Sequence, residues 1–416
     1  MAHNTQDAAM HPAPAVDLIV RGFDAHRIVA LSDGSGHGQA DTLELFVTLV
    51  RDSRFARTVR NIVVEFGNAR YQAVIDRYTA GDVVARDELR HVWEDTTQIS
   101  GVWSLPMYEQ MFAEVRSVNA GLAPALRIRI LLGDPPIDWS RVNGPADEDM
   151  NDWRDAHFAH VVERQVVDRG QKALLLIGGA HLSRKVVLPN SLIHLLDSRF
   201  PGQVWVVSSL DASRIDRSLT SRFGGWTLPA GASVRGTWFG KLDLQQIGFH
   251  LSRGTVEDDM DAVLLLSADA PRLQESPALD VAYRRELARR RAIADATMPF
   301  RGGKIRFVEN SPALSTESEE WLKAVLTELL RDRGLTLLVK TFADETESDA
   351  AALTARRAEL LVAWLVERGV ARNRLIPRGC GALRPLTFGL TALDRDMNRR
   401  AELVRLTRTA GCEPPW

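Results

Sequence analysis

Between residues 16 and 210, short apolar runs alternate with amphipathic stretches. The runs lie at 27–31, 61–66, 126–132, 173–177 and 204–207, rich in Ile, Val and Leu and each followed by Gly, Asp or Ser. A strand that is apolar at both parities is buried on both faces, so these runs predict a mainly parallel sheet with flanking helices in an α/β domain. Apolar residues at helical spacing predict helices over 41–51, 107–119 and 153–169. Residues 262–266 add a further strand, and the Arg-rich stretch 283–293 reads as a surface helix. Arg301-Gly302-Gly303 reads as a turn into a second domain. There a short strand at 304–308 precedes a helix with the stripe Trp321, Leu322, Val325, Leu326 and Leu329. An apolar strand ending in Thr341-Phe342-Ala343-Asp344 follows, then a helix with Leu353, Leu360, Leu361, Trp364 and Leu365 on one side. The expected organisation is a loose polar tail (1–15), an α/β domain (16–295), a linker (296–303) and an α+β domain (304–410).

Length agrees with two or three domains, since 416 residues exceed one core. A formal charge of −2 argues against a dominant nucleic-acid role, which needs an excess of Lys and Arg on one face. No run approaches the roughly 20 apolar residues of a membrane span. The opening Met1-Ala2-His3-Asn4 has neither a basic nor an apolar region, so it does not read as a secretory signal. Two cysteines, Cys380 and Cys412, exclude a disulfide-rich scaffold and a thiolate zinc cluster. They either pair with each other or stand as two free thiols.

Ligands of parallel α/β sheets bind beyond the carboxyl ends of the strands. The first strand ends in Asp33-Gly34-Ser35-Gly36-His37-Gly38, and the second contains Glu65 before Phe66-Gly67-Asn68. The third gives Gly133-Asp134-Pro135-Pro136 and the fourth Gly178-Gly179-Ala180-His181. Two His and three acids on one rim would supply a general base with an orienting carboxylate, or a metal site. Each residue also has a plainer use. Asp33 and Asp134 suit helix N-caps, a Glu inside an apolar run needs a partner, and His181 suits packing as well as chemistry. Asp138, after the two prolines, either faces the site or caps a helix. The segments around Trp93 and Trp103 either line a pocket or form packed loops. Arg154-Asp155-Ala156-His157 reads as a solvated helix face. Neither a nucleophile elbow nor a P-loop is present.

Residues 28–31 with Asp33 and His37, then Val63-Val64-Glu65, then Gly178-Gly179-Ala180-His181-Leu182-Ser183-Arg184, resemble the erythromycin esterase-like superfamily, which also groups ChaN-like and TraB/Tiki-like proteins. The resemblance spans roughly residues 16–290. It implies that His37 activates water as general base, that Asp33 and Glu65 orient it, and that His181 contacts substrate or metal. Here the first acid is Asp33, where the family pattern has Glu, and an extra glycine precedes His37. Members hydrolyse esters without metal, act as metal-dependent proteases or bind haem, so the resemblance leaves reaction, metal and cofactor open.

The C-terminal set is Asp344, then Leu353-Thr354-Ala355-Arg356-Arg357-Ala358, Gly379-Cys380-Gly381 and Asn398-Arg399-Arg400-Ala401. It resembles the OmpA-like peptidoglycan-binding domain. The resemblance implies that Asp344 and Arg357 hold the amine and carboxylate of diaminopimelate in the stem peptide, supported by Asn398 and Arg400. The segment from Asp344 to Arg357 is about two residues shorter than the family pattern, Thr341-Phe342 replaces its glycine, and Ala350 stands where it has Asn. The plainer placement has Asp344 capping the helix and Arg356 and Arg357 on a solvated face.

Together these readings give a hydrolase-like module for a small-molecule ester or amide, held at peptidoglycan in the periplasm or at the outer membrane. Two rivals remain. One is a non-catalytic pocket, haem-like or degenerate. The other is a cytoplasmic scaffold that uses the OmpA-like fold for protein contacts.

Overall fold

The computed structural model describes residues 8–32, 37–144, 154–185, 191–212, 215–249, 254–268, 279–301, 304–383, 392–406 and 412. The chain forms two compact units. The first comprises Met1–Ile137, Arg154–Val187 and Ser191–Asp280; the second comprises Asp138–Trp153, Leu188–Asn190 and Val281–Trp416.

The first unit is built on an eight-stranded sheet. Its strands are Ala13–Pro14 (β1), Ile28–Ser32 (β2), Asn61–Asn68 (β3), Arg129–Asp134 (β4), Ala173–Ile177 (β5), Val204–Ser209 (β6), Ala230–Ser233 (β7) and Ala262–Leu265 (β8). They lie in the order β1-β7-β8-β6-β2-β5-β3-β4. The six strands from β8 to β4 are parallel. The sheet is nevertheless mixed, because β7 pairs antiparallel with β8 and β1 antiparallel with β7. Residues 8–15 are therefore not a loose tail: Ala8 bridges Thr237, and β1 leads directly into the helix Ala15–Ala25.

Side-chain parity divides the sheet between two cores. Val29, Leu31, Ile62, Val64, Leu174 and Leu176 pack on one face. Ile28, Ala30, Val63, Leu175 and Ile177 pack on the other, with Phe158, Ala159 and Val162 of the helix Arg154–Val162. That helix continues through Glu163–Val167 as a π-turn. Burial on both faces is why the strands are apolar throughout, and why a carboxylate at Glu65 needs partners.

The second unit holds the long helix Val281–Arg301, the helices Ser318–Arg331 and Ala350–Glu367, and three strands. Leu337–Thr341 (β9) lies between Leu375–Gly379 (β10), parallel to it, and Ala401–Arg405 (β11), antiparallel. Its core joins Phe307, Leu322, Val325, Leu329, Val339, Leu361 and Leu365. The Arg-rich helix groups with this unit, although the sequence boundary falls after it. The strand expected at 304–308 is reduced to two isolated bridges, Arg306 with Arg400 and Phe307 with Leu314. Cys380 and Cys412 are joined in a disulfide.

Candidate functional site

At the carboxyl end of the parallel strands a buried network forms around Glu65. Glu65 continues the parity of Val63, which turns it toward the helix Arg154–Val162. The strand register shifts between Val64 and Asn68, which frees the end of β3 from regular pairing with β4. Arg154 Nη2 lies 2.8 Å from Glu65 Oε1, and Arg154 Nε donates to Asp134 Oδ1 at 2.9 Å. Asp134, the last residue of β4, also accepts from the Thr97 N–H and hydroxyl, each at 2.7 Å. Glu65 Oε2 accepts the N–H of Gly178 at 2.6 Å.

His181 sits in the single turn Gly179–Leu182 that follows β5. Its Nδ1 is 2.5 Å from Asp155 Oδ1 and its Nε2 is 3.5 Å from Glu65 Oε1. His37 comes in from the loop after β2. A Cβ placed on Gly178 would stand 3.0 Å from Glu65 Oε2, 3.0 Å from His37 Cε1 and 3.7 Å from His181 Cδ2. The glycine thus marks the point where three strand ends converge, and a side chain there would press on Glu65 and His37. Trp103 is buried against His37, with ring centroids 4.3 Å apart. Among the described residues, the buried Trp103 Nε1, Ser104 Oγ and Gln39 Oε1 make no hydrogen bond, and Arg154 Nη2 meets Glu65 only as an ion pair.

The charges follow from these contacts. Burial alone would raise the Glu65 carboxyl, but Arg154, His181 and His37 outweigh it and hold Glu65 well below the usual carboxylate range. Burial would lower His181, yet Asp155 and Glu65 push it up to about 10. Complete burial raises Asp134, offset in part by Arg154 and Thr97. His157 is lowered to about 4 by burial; its Nδ1 lies 2.7 Å from the Gly133 carbonyl, a contact a neutral ring makes as donor. Gly133 itself is required, since a Cβ there would meet Phe158 at 2.5 Å and the Val64 carbonyl oxygen at 2.9 Å.

The structure brings His37, Glu65, His181 and Asp134 into one network. Asp33 lies outside the described residues. Asp138 groups with the second unit and caps the turn Trp139–Arg141 through the Ser140 N–H and hydroxyl. The sequence reading missed Arg154 and Asp155. Their charges on an amphipathic helix look solvated, whereas Arg154 is buried between two carboxylates. Ser183 and Arg184, part of the motif, anchor the following turn. Ser183 donates to Asp259, and Arg184 pairs with Asp197 and Asp261. Among the described residues no group of three or more His, Cys, Asp or Glu side chains is placed to hold a metal ion.

In the second unit Asp344 follows β9 and is buried. It accepts from Asn398 Nδ2 at 2.9 Å and from the Thr346 N–H and hydroxyl. Burial would raise its carboxyl, but those hydrogen bonds prevail and hold it below the usual range. The cap of the helix Ala350–Glu367 is Asp349 and not Asp344. Arg357 is wholly buried, so it is on no solvated face. Its guanidinium is engaged by both Glu347 oxygens, at 2.6 and 2.8 Å, and by the carbonyls of Ser311 and Val308. The expected ligand carboxylate therefore meets a guanidinium that already holds one. Arg400 is likewise buried, pairing with Glu402 and stacking on Phe342. Sequence pattern placed Asp344 and Asn398 together; it gave no sign of Glu347.

No protein-family model matches the chain. It is 30% identical over 105 residues to the peptidoglycan-binding protein ArfA of Mycobacterium bovis and of Mycobacterium tuberculosis. The match covers 25% of this chain, which spans about a third (32%) of those relatives' length. Among solved structures, the peptidoglycan-associated lipoprotein of Burkholderia pseudomallei is 24% identical over 24% of this chain and 86% of its own, with a TM-score of 0.23. A putative MotB-like protein of Desulfovibrio vulgaris is 24% identical over 24% of this chain and 70% of its own, at 0.22. The type III effector HopBA1 is 11% identical over 63% of this chain and 98% of its own, at 0.37.

Proposed function

We propose that the chain is a cell-envelope protein in which a hydrolase-like first unit is held to peptidoglycan by the second. The convergence of His37, Glu65 and His181 around Gly178 carries the catalytic half. A water activated by His37 would attack an ester or amide carbonyl held between these groups. The Trp103 N–H, on a ring packed against His37, makes no hydrogen bond among the described residues and suits a polar substrate, because buried polar groups are nearly always partnered.

The peptidoglycan half rests on the 105-residue similarity to ArfA, a stretch close in length to the 304–410 segment that carries the motif residues. The contact of Asn398 with Asp344 supports it, leaving a carboxylate suited to an ammonium group. Binding a ligand carboxylate at Arg357 requires Glu347 to move aside. The disulfide favours an oxidising compartment, in line with the envelope and against the scaffold reading.

Two assays on the full chain test the proposal. Purified sacculi should retain the wild type and lose Asp344→Asn, with melting curves of both proteins showing that the variant is folded. Hydrolysis of p-nitrophenyl acetate should fall on the order of 10²-fold or more in His37→Ala. Equal retention of both proteins would remove the peptidoglycan half, and unchanged hydrolysis the catalytic half.

A further inference from the structure

We propose that Asp155 is a positioning residue that holds His181 as an imidazolium, so that His181 acts as a fixed cation beside the substrate oxygen. This deepens the hydrolase reading and rests on it. The geometry supplies the argument. Each ring nitrogen of His181 faces a carboxylate oxygen, Nδ1 that of Asp155 and Nε2 that of Glu65. Nδ1 is hydrogen-bonded to Asp155, whereas Nε2 stands at ion-pair distance from Glu65; a neutral ring donating to Asp155 would turn its Nε2 lone pair toward an anion, which the doubly protonated ring avoids. Glu65 does not supply the missing proton, since Arg154 and the Gly178 N–H already hold it as an anion.

The other groups facing His181 fit this picture. Phe158, from the same helix as Asp155, presents a ring at 83° to the imidazole with centroids 5.7 Å apart. Arg154 reaches the same Glu65 oxygen as His181 and tempers that carboxylate's pull. His37 approaches across Gly178. The two carboxylates prevail, and His181 is pushed up to about 10.

A ring protonated at both nitrogens accepts no proton from water and offers no lone pair to a metal. The roles of the two histidines therefore separate. His37 takes the proton of the attacking water as its oxygen bonds to the carbonyl carbon. The carbonyl oxygen takes up the negative charge beside His181. As the carbonyl re-forms, the bond to the alcohol or amine breaks, and the leaving group receives the proton from His37.

The test is imidazole 15N NMR of the full chain across pH 5–10, with the His181 signals identified by their loss in His181→Gln. In wild type both nitrogens should show imidazolium shifts at pH 8. In Asp155→Asn the ring should lose a proton near the ordinary histidine value of about 6.5, and Asp155→Glu should restore the wild-type titration. Hydrolysis of p-nitrophenyl acetate should fall on the order of 10²-fold in Asp155→Asn and recover in Asp155→Glu. A neutral His181 at pH 8 in wild type, or an unchanged titration in a folded Asp155→Asn, overturns the inference. Absence of hydrolysis by a wild type whose His181 is charged overturns the hydrolase reading instead, so the two failures are distinguishable.

Discussion

Glu65 shows how one buried carboxylate organises its surroundings. It holds Arg154 and the Gly178 N–H directly and faces His181, so its removal takes one of two carboxylate partners from each of these cations and leaves Arg154 Nη2 buried without its ion-pair partner. Breaking such a pair costs about 3–5 kcal/mol. Glu65→Gln should lower the free energy of urea unfolding by about that much, and the single-partner change Asp76→Asn, at a half-exposed pair with Arg129, by about 1 kcal/mol or less. The same contacts set the pH dependence. Glu65 is held below its unfolded value, so its contribution is complete above about pH 5 and is lost as pH falls through the lower folded value. His181 is raised, so its contribution is complete below about pH 6.5 and is lost as pH rises toward about 10. Unfolding measured from pH 6 to 10 should show stability declining in wild type and a flatter profile in His181→Gln. An identical slope in both proteins would mean that the imidazole gains nothing from Asp155 and Glu65.

At the scale of elements, the sequence was informative where burial dictates composition. β2, β3, β5, β6 and β8 are apolar at both parities because helices cover both faces, and that is what made them readable. β7 was not readable. Its residues are Ala-Gly-Ala-Ser, with no large apolar side chain to mark a strand. The structure gives the reason: a Cβ on Gly231 would stand 2.5 Å from the Val263 carbonyl oxygen and 2.4 Å from Leu264. The strand is small because β8 and Leu18 leave no room, and its smallness hides it. Gly231→Ala should therefore destabilise by about 1–3 kcal/mol, as overpacking does, despite removing no contact. A melting temperature equal to wild type would show that β7 and its neighbours yield. The helix Arg154–Val162 was legible as a helix but not as part of the site. Its apolar residues reveal the period, whereas Asp155 meets His181 only through a contact 26 residues away along the chain.

For the whole molecule, the order of motifs suggested two domains, and the structure gives each unit a core of its own. The sequence left the two cysteines open, because a pairing depends on where the chain end lies. They prove to be joined, and both belong to the second unit, 32 residues apart. Closing a loop of that length restrains the unfolded chain by about 3.5–4 kcal/mol in the chain-entropy account. All of that stabilisation falls on the unit that carries Asp344, Arg357 and Asn398. The Cys380 N–H donates to Thr341 and the Ala343 N–H to Gly381, so the bridge sits on the turn that leads into Asp344. Reduction should therefore act on one unit alone. Calorimetry of the full chain should show two transitions, of which dithiothreitol lowers one. Sacculus binding should weaken with that transition, while p-nitrophenyl acetate hydrolysis and the His181 titration stay as they were. If dithiothreitol moved both transitions together, the two units would be coupled in unfolding, and a wall-binding unit serving as an independent tether for a catalytic one would no longer describe the molecule.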